Sequence, residues 1–261
     1  MALLTGGSRG IGPVIAEALA KRGANLALAA RSKTGLQEVA TNLNRYRSRV
    51  EIVTADLSKS TECEGLVDEV MQKLGKIDIL INNAGLETEG AYVELSWASV
   101  QKTIEVNLVA PMALTHLVLP EMLERKRGHI VNIASIAAKS GAPFAAVYSG
   151  TKAGLAEWTR ALRLELANSG VHFSTIFPGY VREVGMFARF GMKPPGIVGS
   201  CAPTWVADAV VHAIEKNRLE KIINWPPLRY SFIINEISPT LGDWLMRLSG
   251  VTDFQRKKVG K

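Results

Sequence analysis

The chain has 261 residues, of which 47% are hydrophobic and 21% charged, and its formal net charge is +7. This length and composition suit one globular α/β domain and exclude a collagen-like, solenoid or disordered chain. The basic residues are spread along the sequence, apart from ERKRGH at 124–129 and a basic C-terminus. Because no basic stretch alternates with aromatic residues, the pattern argues against a nucleic-acid-binding module.

The two cysteines, Cys63 and Cys201, have neither the spacing of metal ligands nor that of a disulfide framework. We therefore expect a reducing compartment and no metal site. The apolar run VNLVAPMALTHLVLP is interrupted by asparagine, histidine and proline, so it is a poor candidate for a membrane span. A strand-like ALLTGG follows Met1 directly, which argues against a secretory signal, and we expect a cytoplasmic protein.

Apolar runs alternate with amphipathic stretches along the chain. The predicted strands are, in order, ALLTGG, ANLALAA, VEIVTADLS, IDILINNAG, GHIVNIAS and VHFSTIFPG. Helical periodicity follows the first three runs over residues 11–21, 34–47 and 64–74, and further helical segments follow the next two. Strands that are apolar throughout and alternate with helices predict a parallel sheet covered by helices on both faces. We predict one α/β domain over residues 1–261.

Glycines and polar residues cluster at the carboxyl ends of these strands, in TGGSRGIG, NNAG, NIAS and PGY. Ligands of open parallel sheets bind at this edge. In TGGSRGIG, at 5–12, the glycines permit a tight turn and the close approach of a ligand, and the helix that follows attracts phosphate. The segment therefore predicts a dinucleotide pyrophosphate site, although a glycine-rich turn alone also occurs in plain connections.

The segment YSGTKAG at 148–154 places Tyr148 and Lys152 four residues apart. On a helix this spacing puts the phenol and the ammonium on one face, where they can share a ligand. The two-residue pattern alone is weak evidence, because it arises often by chance. Its interpretation depends on the rest of the chain.

Taken together, these segments resemble the classical short-chain dehydrogenase/reductase family. The resemblance rests on T-G-x-x-x-G-I-G at 5–12, N-N-A-G at 82–85, Asn107, Ser135 thirteen residues before Tyr148, Lys152, and the pair Pro178 and Gly179. It covers roughly residues 2–181, and the joint pattern is far more specific than any one member. The resemblance implies a single Rossmann-type domain with a doubly wound parallel sheet, NAD(P) dependence, and a homodimer or homotetramer.

The resemblance also implies roles for particular side chains. Lys152 would bind the nicotinamide ribose, Ser135 the substrate oxygen, and Asn107 a water that links Lys152 to solvent. Singly, Ser135 is also read as a small residue at a strand end, and Asn107 as a polar group that bonds backbone. The implied cofactor-binding residues are Gly6, Ser8, Arg9, Gly10, Ile11, Gly12, Arg31, Asp56, Leu57, Asn83, Ala84, Gly85, Tyr148, Lys152, Pro178, Gly179 and Val181.

The expected chemistry is carbonyl reduction, which needs a hydride on carbon and a proton on oxygen. A nicotinamide supplies the hydride, and Tyr148 is the candidate acid for the proton. A free tyrosine has a pKa of about 10, so nearby positive charge is needed to bring it toward neutrality. We expect Lys152 to provide that charge.

The second predicted strand ends in ALAARS, which bears on the choice of cofactor. The position that is acidic in NAD-preferring folds holds Ala30, and Arg31 follows it. Arg31 and Arg9 are candidates for pairing with a 2′-phosphate, so we predict NADP(H); the alternative is that both are merely exposed. Asp56 in TADLS resembles the family aspartate that binds the adenine amino group; alternatively it serves as a helix cap or turn residue.

The sequence departs from the family pattern after the sixth strand. Where P-G-x-V-x-T is common, this chain reads PGYVREVG, so Glu183 occupies the threonine position. The usual contact to the nicotinamide is therefore in doubt, and Glu183 is alternatively read as facing solvent or pairing with Arg182. Residues from about 184 to 215, including GMFARFGMKPPGIVG, are predicted to form a substrate lid, with an ordinary packed loop as the equal alternative.

The tail, from about 225 to 261, contains WPPLRYSFIINEISPTLGDWLMRLSGV and is rich in Trp, Leu, Ile and Tyr. Its apolar face favours core packing or a subunit contact. A membrane-surface contact is the minor alternative, because the nearby RKK is only one of the two signals that stable anchoring needs. The lid and tail suggest an apolar or lipid-like substrate.

The predicted function is an NADP(H)-dependent reductase of a ketone or aldehyde, reversible as an alcohol dehydrogenase. An NADPH-binding regulatory or scaffold protein with little turnover is the alternative, and Glu183 argues faintly for it. A hydrolase is disfavoured, because the chain has neither a G-x-S-x-G elbow nor a zinc-type pair of histidines.

Overall fold

The computed structural model describes residues 1–196 and 198–260. Ile197 of the predicted lid and Lys261 of the predicted tail lie outside the described residues. Within the described residues, seven strands form one sheet in the order β3-β2-β1-β4-β5-β6-β7, and every neighbouring pair is parallel. The strands are β1 (Ala2–Thr5), β2 (Leu26–Ala30), β3 (Val50–Thr54), β4 (Ile79–Asn82), β5 (Gly128–Ile133), β6 (Val171–Pro178) and β7 (Glu220–Ile223).

Helices connect the strands, and the prediction of a Rossmann-type doubly wound sheet is confirmed. The helices are α1 (Gly12–Ala20), α2 (Lys33–Leu43), α3 (Thr61–Leu74), α4 (Trp97–Ile104), α5 (Ala110–Glu124), α6 (Ala137–Ser140), α7 (Ala146–Glu165), α8 (Gly185–Ala188), α9 (Pro203–Lys216), α10 (Arg229–Ile237), α11 (Pro239–Leu248) and α12 (Val251–Lys258). A short 3₁₀ turn covers Tyr92–Glu94, and a π-helical turn, Glu105–Val109, joins α4 to α5.

Both faces of the sheet are covered, because alternate side chains of each strand enter different clusters. In β1, Leu4 packs with Ile15 of α1, whereas Leu3 packs on the opposite face with Leu114 of α5. All four side chains are fully buried. Burial of each contributes about 1.5–3 kcal/mol, which explains why the strands are apolar throughout.

The predicted helix boundaries hold at α1 and shift at the next two helices. Helix α2 ends at Leu43 rather than near Arg47, because the chain turns there and the Tyr46 hydroxyl donates a 2.7 Å hydrogen bond to Glu17 of α1. Helix α3 begins at Thr61, three residues before the predicted start. Strand β7 was not predicted, since its residues EKII are half-exposed at the sheet edge and give only a short apolar run.

The long helical run from Trp97 to Glu124 has the length and hydropathy of a membrane span. Its inner face, however, carries fully or nearly fully buried side chains, including Leu114, Val118 and Met122, that pack against the sheet. This is the packing of a core helix, and one such helix is weak evidence for a membrane protein.

The predicted lid region divides into two parts. Residues 203–216 form α9, whose Val206 and Val210 are fully buried against the sheet, so this part is core rather than lid. The lid prediction therefore applies to residues 184–199, which include the short helix α8.

The predicted tail folds into α10, α11 and α12. Helix α12 packs inward, with Phe254, Gln255 and Lys258 buried, whereas α10 and α11 pack side by side and each expose an apolar stripe. The stripes follow the i, i+3, i+4, i+7 spacing of a helix face. Their exposed residues are Tyr230, Ile233, Ile234, Ile237, Leu241, Trp244, Leu245 and Leu248.

Candidate active site

A cavity of about 600 Å³ opens at the carboxyl ends of the central strands. This is the edge where ligands of doubly wound sheets bind, next to the reversal of strand order between β1 and β4. The structure brings most of the predicted site residues to its wall: Gly6, Arg9, Gly10, Ile11, Asn83, Ala84, Gly85, Ser135, Tyr148, Lys152, Pro178, Gly179 and Val181.

The glycine-rich turn between β1 and α1 forms one end of the cavity. Gly6 and Gly10 both have φ of +67°, a conformation that side chains rarely adopt. A Cβ atom at Gly12 would lie 2.1 Å from the Gly6 carbonyl oxygen, so only glycine allows the turn to close against the helix. The turn thus leaves backbone, rather than side chains, facing the cavity, as close approach of a pyrophosphate requires.

The segment after β4 is held beside this turn by Thr5. The Thr5 hydroxyl accepts 3.0 Å hydrogen bonds from the backbone N–H groups of Asn83 and Ala84, and the Asn83 amide donates to the Thr5 and Gly6 carbonyls. Asn83 Oδ1 is buried and has no partner among the described residues. An unpaired buried acceptor at the cavity wall fits a ligand that donates a hydrogen bond there.

Asn107 lies in the π-helical turn and is fully buried. Its side chain donates to the Leu86 carbonyl at 2.8 Å and accepts from the Leu86 N–H at 2.8 Å, so it fastens the segment after β4. It also donates to Thr151 of α7 at 3.1 Å. Asn107 therefore does not line the cavity, and its position behind the wall ties α7 to the end of β4.

Helix α7, which carries Tyr148 and Lys152, is held against the sheet by buried polar side chains. The Asn82 amide donates to Asn132 at 2.8 Å, and the Asn132 amide donates to Thr159 of α7 at 2.8 Å. These bonds link β4, β5 and α7 in the buried interior, where each unmade bond would be costly. They fix the helix face that bears Tyr148.

Ser135, Tyr148 and Lys152 converge as their spacing predicted. The Ser135 hydroxyl, just after β5, lies close enough to the Tyr148 phenol to affect its pKa, and it accepts a 3.2 Å hydrogen bond from the Ala137 N–H. Lys152 Nζ lies 5.9 Å from the centre of the Tyr148 ring and donates a 2.8 Å hydrogen bond to the Ile133 carbonyl. The hydroxyl, the phenol and the ammonium thus surround one end of the cavity.

The environment of Tyr148 differs from the expectation that Lys152 lowers its pKa. Burial raises the pKa of Tyr148 above its ordinary value, the carboxylates of Glu87 and Glu89 raise it further, and the nearby Ser135 hydroxyl opposes them. The physical reason is that a phenolate loses more hydration in this site than nearby groups return. The phenol is therefore held in its protonated, proton-donating form.

Lys152 is itself affected by burial. Only 4% of the residue is exposed, and desolvation lowers the pKa of its ammonium to about 8. A cation in such a site interacts strongly with any ligand hydroxyl or developing negative charge nearby, because little water screens it.

Six predicted residues lie away from the cavity wall: Ser8, Gly12, Arg31, Asp56, Leu57 and Asn107. Arg31 follows β2 and Asp56 follows β3, so both stand at the neighbouring strand ends. The Asp56 carboxylate accepts hydrogen bonds from the Ser58 backbone and hydroxyl, as a turn residue does, and the predicted adenine contact stays a prediction. These bonds and the Arg31 charge hold the pKa of Asp56 below its usual range, against the opposing and largest effect of burial.

Two further arginines lie close enough to Arg9 to affect its pKa. The pKa of Arg9 is lowered first by burial, then by the charges of Arg189 and Arg31. Such mutual repulsion between guanidinium groups is relieved by an anion, and phosphate is the anion that arginine pairs with best. Arg189 escaped the sequence analysis because it lies in a segment outside the family motifs.

Other cavity residues also escaped prediction. Glu87 follows N-N-A-G, and the tail contributes Phe232, Met246 and Gln255 to the wall. The amphipathic pattern of the tail predicts that its apolar face is packed, but it does not identify the surface against which the tail packs. Glu183, at the usual threonine position, is exposed and has a φ of +68°, whereas Val184 lines the cavity.

Within residues 1–196 and 198–260, His, Cys, Asp and Glu side chains form no group of three that could hold a metal ion. The cavity instead combines a glycine turn suited to phosphate with a serine, a tyrosine and a lysine. A doubly wound sheet with this site defines a nucleotide-dependent enzyme of the Rossmann type.

Comparison with known proteins names the family. The family model for short chain dehydrogenases matches residues 1–193, so the chain belongs to the short chain dehydrogenase family and is an oxidoreductase. This confirms the resemblance drawn from the motifs.

Individual relatives agree with that assignment. The chain is 41% identical over 262 aligned residues to the ketoacyl reductase HetN of Nostoc sp., covering 98% of this chain and 91% of HetN. It is 39% identical over 183 residues to a putative ketoacyl reductase of Streptomyces coelicolor, covering 69% of this chain and 70% of that protein. The structure matches a short-chain dehydrogenase from Sphingobium yanoikuyae in complex with NADPH, with a TM-score of 0.79, 28% identity and 94% coverage of each chain.

Proposed function

We propose that this oxidoreductase uses NADP(H) to reduce a ketone on an apolar chain, with ketoacyl compounds as the leading substrate class, and that the reaction is reversible. The observation that carries the proposal is the convergence of Ser135, Tyr148 and Lys152 in one cavity with the glycine-rich turn. The names of two relatives support the substrate class, since one is named a ketoacyl reductase and the other a putative ketoacyl reductase.

The residues present fit a bound dinucleotide. Gly6 and Gly10 line the cavity with a backbone conformation that side chains rarely adopt, and Asn83 offers an unpaired acceptor at the wall. The Lys152 ammonium lies where it can donate to ribose hydroxyls. A similar protein with NADPH bound supports NADP(H), and the cluster of Arg9, Arg31 and Arg189 suits its 2′-phosphate.

In the proposed mechanism the bound nicotinamide supplies hydride to the carbonyl carbon. The Ser135 hydroxyl binds the carbonyl oxygen and orients it toward Tyr148. Tyr148, kept protonated by its surroundings, donates its proton to that oxygen as negative charge develops. Lys152 stabilises the resulting phenolate from the same face of α7, and Asn107 holds the neighbouring segment in place.

An apolar substrate is favoured by the far end of the cavity. Its wall there is made by Phe187, Phe190, Phe232, Leu245 and Met246. Burying an acyl chain against such side chains gains about 25 cal/mol for each Å² removed from water.

The test is the consumption of NADPH by the purified protein with a panel of ketones, aldehydes and ketoacyl thioesters, repeated with NADH. We expect turnover with NADPH, fastest for ketones on apolar chains. Tight NADPH binding without turnover on any member would favour the regulatory alternative instead. That alternative drew its support from Glu183, which is exposed and stands outside the cavity wall.

We further expect a homodimer or homotetramer, which light scattering on the purified protein distinguishes from a monomer. The apolar stripes of α10 and α11 are available for a subunit contact. A membrane-surface contact is the minor alternative, and a flotation assay without liposome association would remove it.

A further inference from the structure

The last helix of the chain ends in a buried cation. Lys258 of α12 has a side chain that is only 1% exposed, and its ammonium forms ion pairs with Glu87, at 3.0 Å, and with Glu89. Both carboxylates belong to the segment that follows β4 and N-N-A-G, and Glu87 lines the cavity. Lys258 therefore connects helix α12 to the wall of the active-site cavity.

The same helix also contacts the segment that follows β6. The Phe254 ring packs edge-on against Tyr180, with ring centres 5.6 Å apart, and lies 6.0 Å from Phe187. Gln255 Nε2 donates a 3.3 Å hydrogen bond to the Tyr180 hydroxyl. Lys258 Nζ stands 4.4 Å from the centre of the Phe190 ring, within reach of a cation–π interaction.

Helix α12 thus joins two segments that belong to different strand ends. Glu87 comes from the segment after β4, whereas Tyr180, Phe187 and Phe190 come from the segment after β6. All four line the cavity. Their separation is therefore set, in this structure, by the side chains of α12 that lie between them.

The ion pairs hold together groups that would otherwise repel. Glu87 and Glu89 lie side by side, and the pKa of Glu89 is raised to about 7, chiefly by burial and then by the Glu87 charge, while Lys258 opposes both effects. Removing one partner from a buried ion pair leaves an uncompensated charge, which the structure relieves by moving apart or taking up water. Loss of Lys258 would accordingly separate α12 from the segment after β4.

We propose that Lys258 is a positioning residue for substrate: through Glu87 and Glu89 it fastens the C-terminal helix across the cavity and so fixes the apolar wall formed by Phe187 and Phe190. This inference rests on the proposed reductase function for its kinetic effect, and on the contacts alone for its structural effect. It assigns the tail a role in substrate binding rather than in cofactor binding.

The kinetic test compares Lys258→Met with Lys257→Met, a neighbouring lysine on the same helix that is exposed. We expect Lys258→Met to raise the KM for the best apolar ketone by at least about tenfold, with a smaller change in kcat and an NADPH affinity within about twofold of the original. Lys257→Met should leave all three unchanged. Lys258→Arg keeps the charge, and its KM should lie within about threefold of the KM of the original protein.

Two kinetic outcomes would overturn the proposal. One is a KM in Lys258→Met equal to that of Lys257→Met. The other is an equal loss of NADPH and ketone binding in Lys258→Met, which would make Lys258 a general stability residue.

A second measurement does not depend on turnover. Hydrogen exchange of the NADPH-bound protein should be faster over residues 180–190 in Lys258→Met and unchanged in Lys257→Met, because the segment loses its contact with α12. Unchanged exchange over 180–190 would refute the positioning role. If the original protein proved inactive, this result would still test Lys258, so failure of the reductase proposal and failure of this inference are distinguishable.

Discussion

The ammonium of Lys152 lies 5.9 Å from the centre of the Tyr148 ring and is held by a 2.8 Å hydrogen bond to the Ile133 carbonyl at the end of β5. The sheet thus fixes the cation, and the helix fixes the phenol relative to it. Burial acts on the two groups in opposite directions, raising the pKa of Tyr148 and lowering that of Lys152 to about 8. Each group is pushed toward its neutral form; near pH 7 this lowers stability only through Lys152, because the phenol is neutral in both the folded and the unfolded chain.

The burial of Lys152 predicts a dependence of stability on pH. Its pKa is about 8 in the folded protein and 10.5 in the unfolded chain, so the unfolded chain binds more protons between these values. Burying the charged Lys152 ammonium lowers the free energy of unfolding. This destabilisation is complete below pH 8 and disappears as pH rises toward 10.5. Between pH 7 and pH 9.5, the free energy of unfolding of the original protein should therefore rise by about 2 kcal/mol relative to that of Lys152→Met.

Urea unfolding of both proteins at the two pH values measures this difference. Lys257→Met serves as the exposed control and should track the original protein at both. An equal difference at pH 7 and pH 9.5 would mean that Lys152 does not titrate in that range.

The cofactor preference should depend on Arg31. Arg31→Ala removes one of the three neighbouring guanidinium groups, so NADPH should bind at least about tenfold more weakly while NADH affinity stays within about twofold. Fluorescence titration with each cofactor measures the two affinities. Arg160→Ala, an exposed arginine on α7, should change neither. An equal weakening for both cofactors would refute the 2′-phosphate assignment.

We expect Glu183 to affect the stability of the protein through backbone strain and to have no part in the reaction. It is exposed with a φ of +68°, which costs about 1 kcal/mol or more for a side-chain-bearing residue. Glu183→Gly should raise the free energy of unfolding by up to about 1 kcal/mol, whereas Glu183→Thr should lower it, because a β-branched residue fits that conformation poorly. Both variants should keep the original kcat. A threonine variant more stable than the glycine variant would contradict this reading.

Two glycines should respond oppositely to the same substitution. A Cβ at Gly12 would lie 2.1 Å from the Gly6 carbonyl oxygen, so Gly12→Ala must shift the turn and should weaken NADPH binding at least about tenfold. Gly65, exposed within α3, has no neighbour within 4 Å of an added Cβ, and Gly65→Ala should stabilise the protein by about 0.5–1 kcal/mol. Calorimetry and NADPH titration of the pair provide the check, and a harmless Gly12→Ala would show that the turn tolerates a side chain.

The sequence predicts the part of the molecule that depends on local pattern. Strands such as ALLTGG are apolar because both their faces are buried, and the pair Tyr148 and Lys152 meets because helix spacing is fixed. Strand β7 was missed because an edge strand need not be apolar on both faces.

The features that the sequence did not predict depend on contacts between segments that are distant along the chain. Lys258 meets Glu87 across 171 residues, and Arg189 reaches Arg9 from a segment without a motif. No periodicity in either segment encodes its partner. The raised pKa of Tyr148 was missed for a related reason, since the cost of burial depends on the whole surrounding fold.

The central claim is that Tyr148 donates the proton in carbonyl reduction, and Tyr148→Phe tests it most directly. The variant keeps the ring and removes only the hydroxyl, so NADPH should bind with unchanged affinity while kcat for the best ketone falls by roughly 10²–10⁴-fold. The measurement is NADPH consumption by the original and variant proteins, beside fluorescence titration of NADPH. A kcat within about threefold of the original, with the same NADPH affinity, would contradict the mechanism and place the proton donor elsewhere.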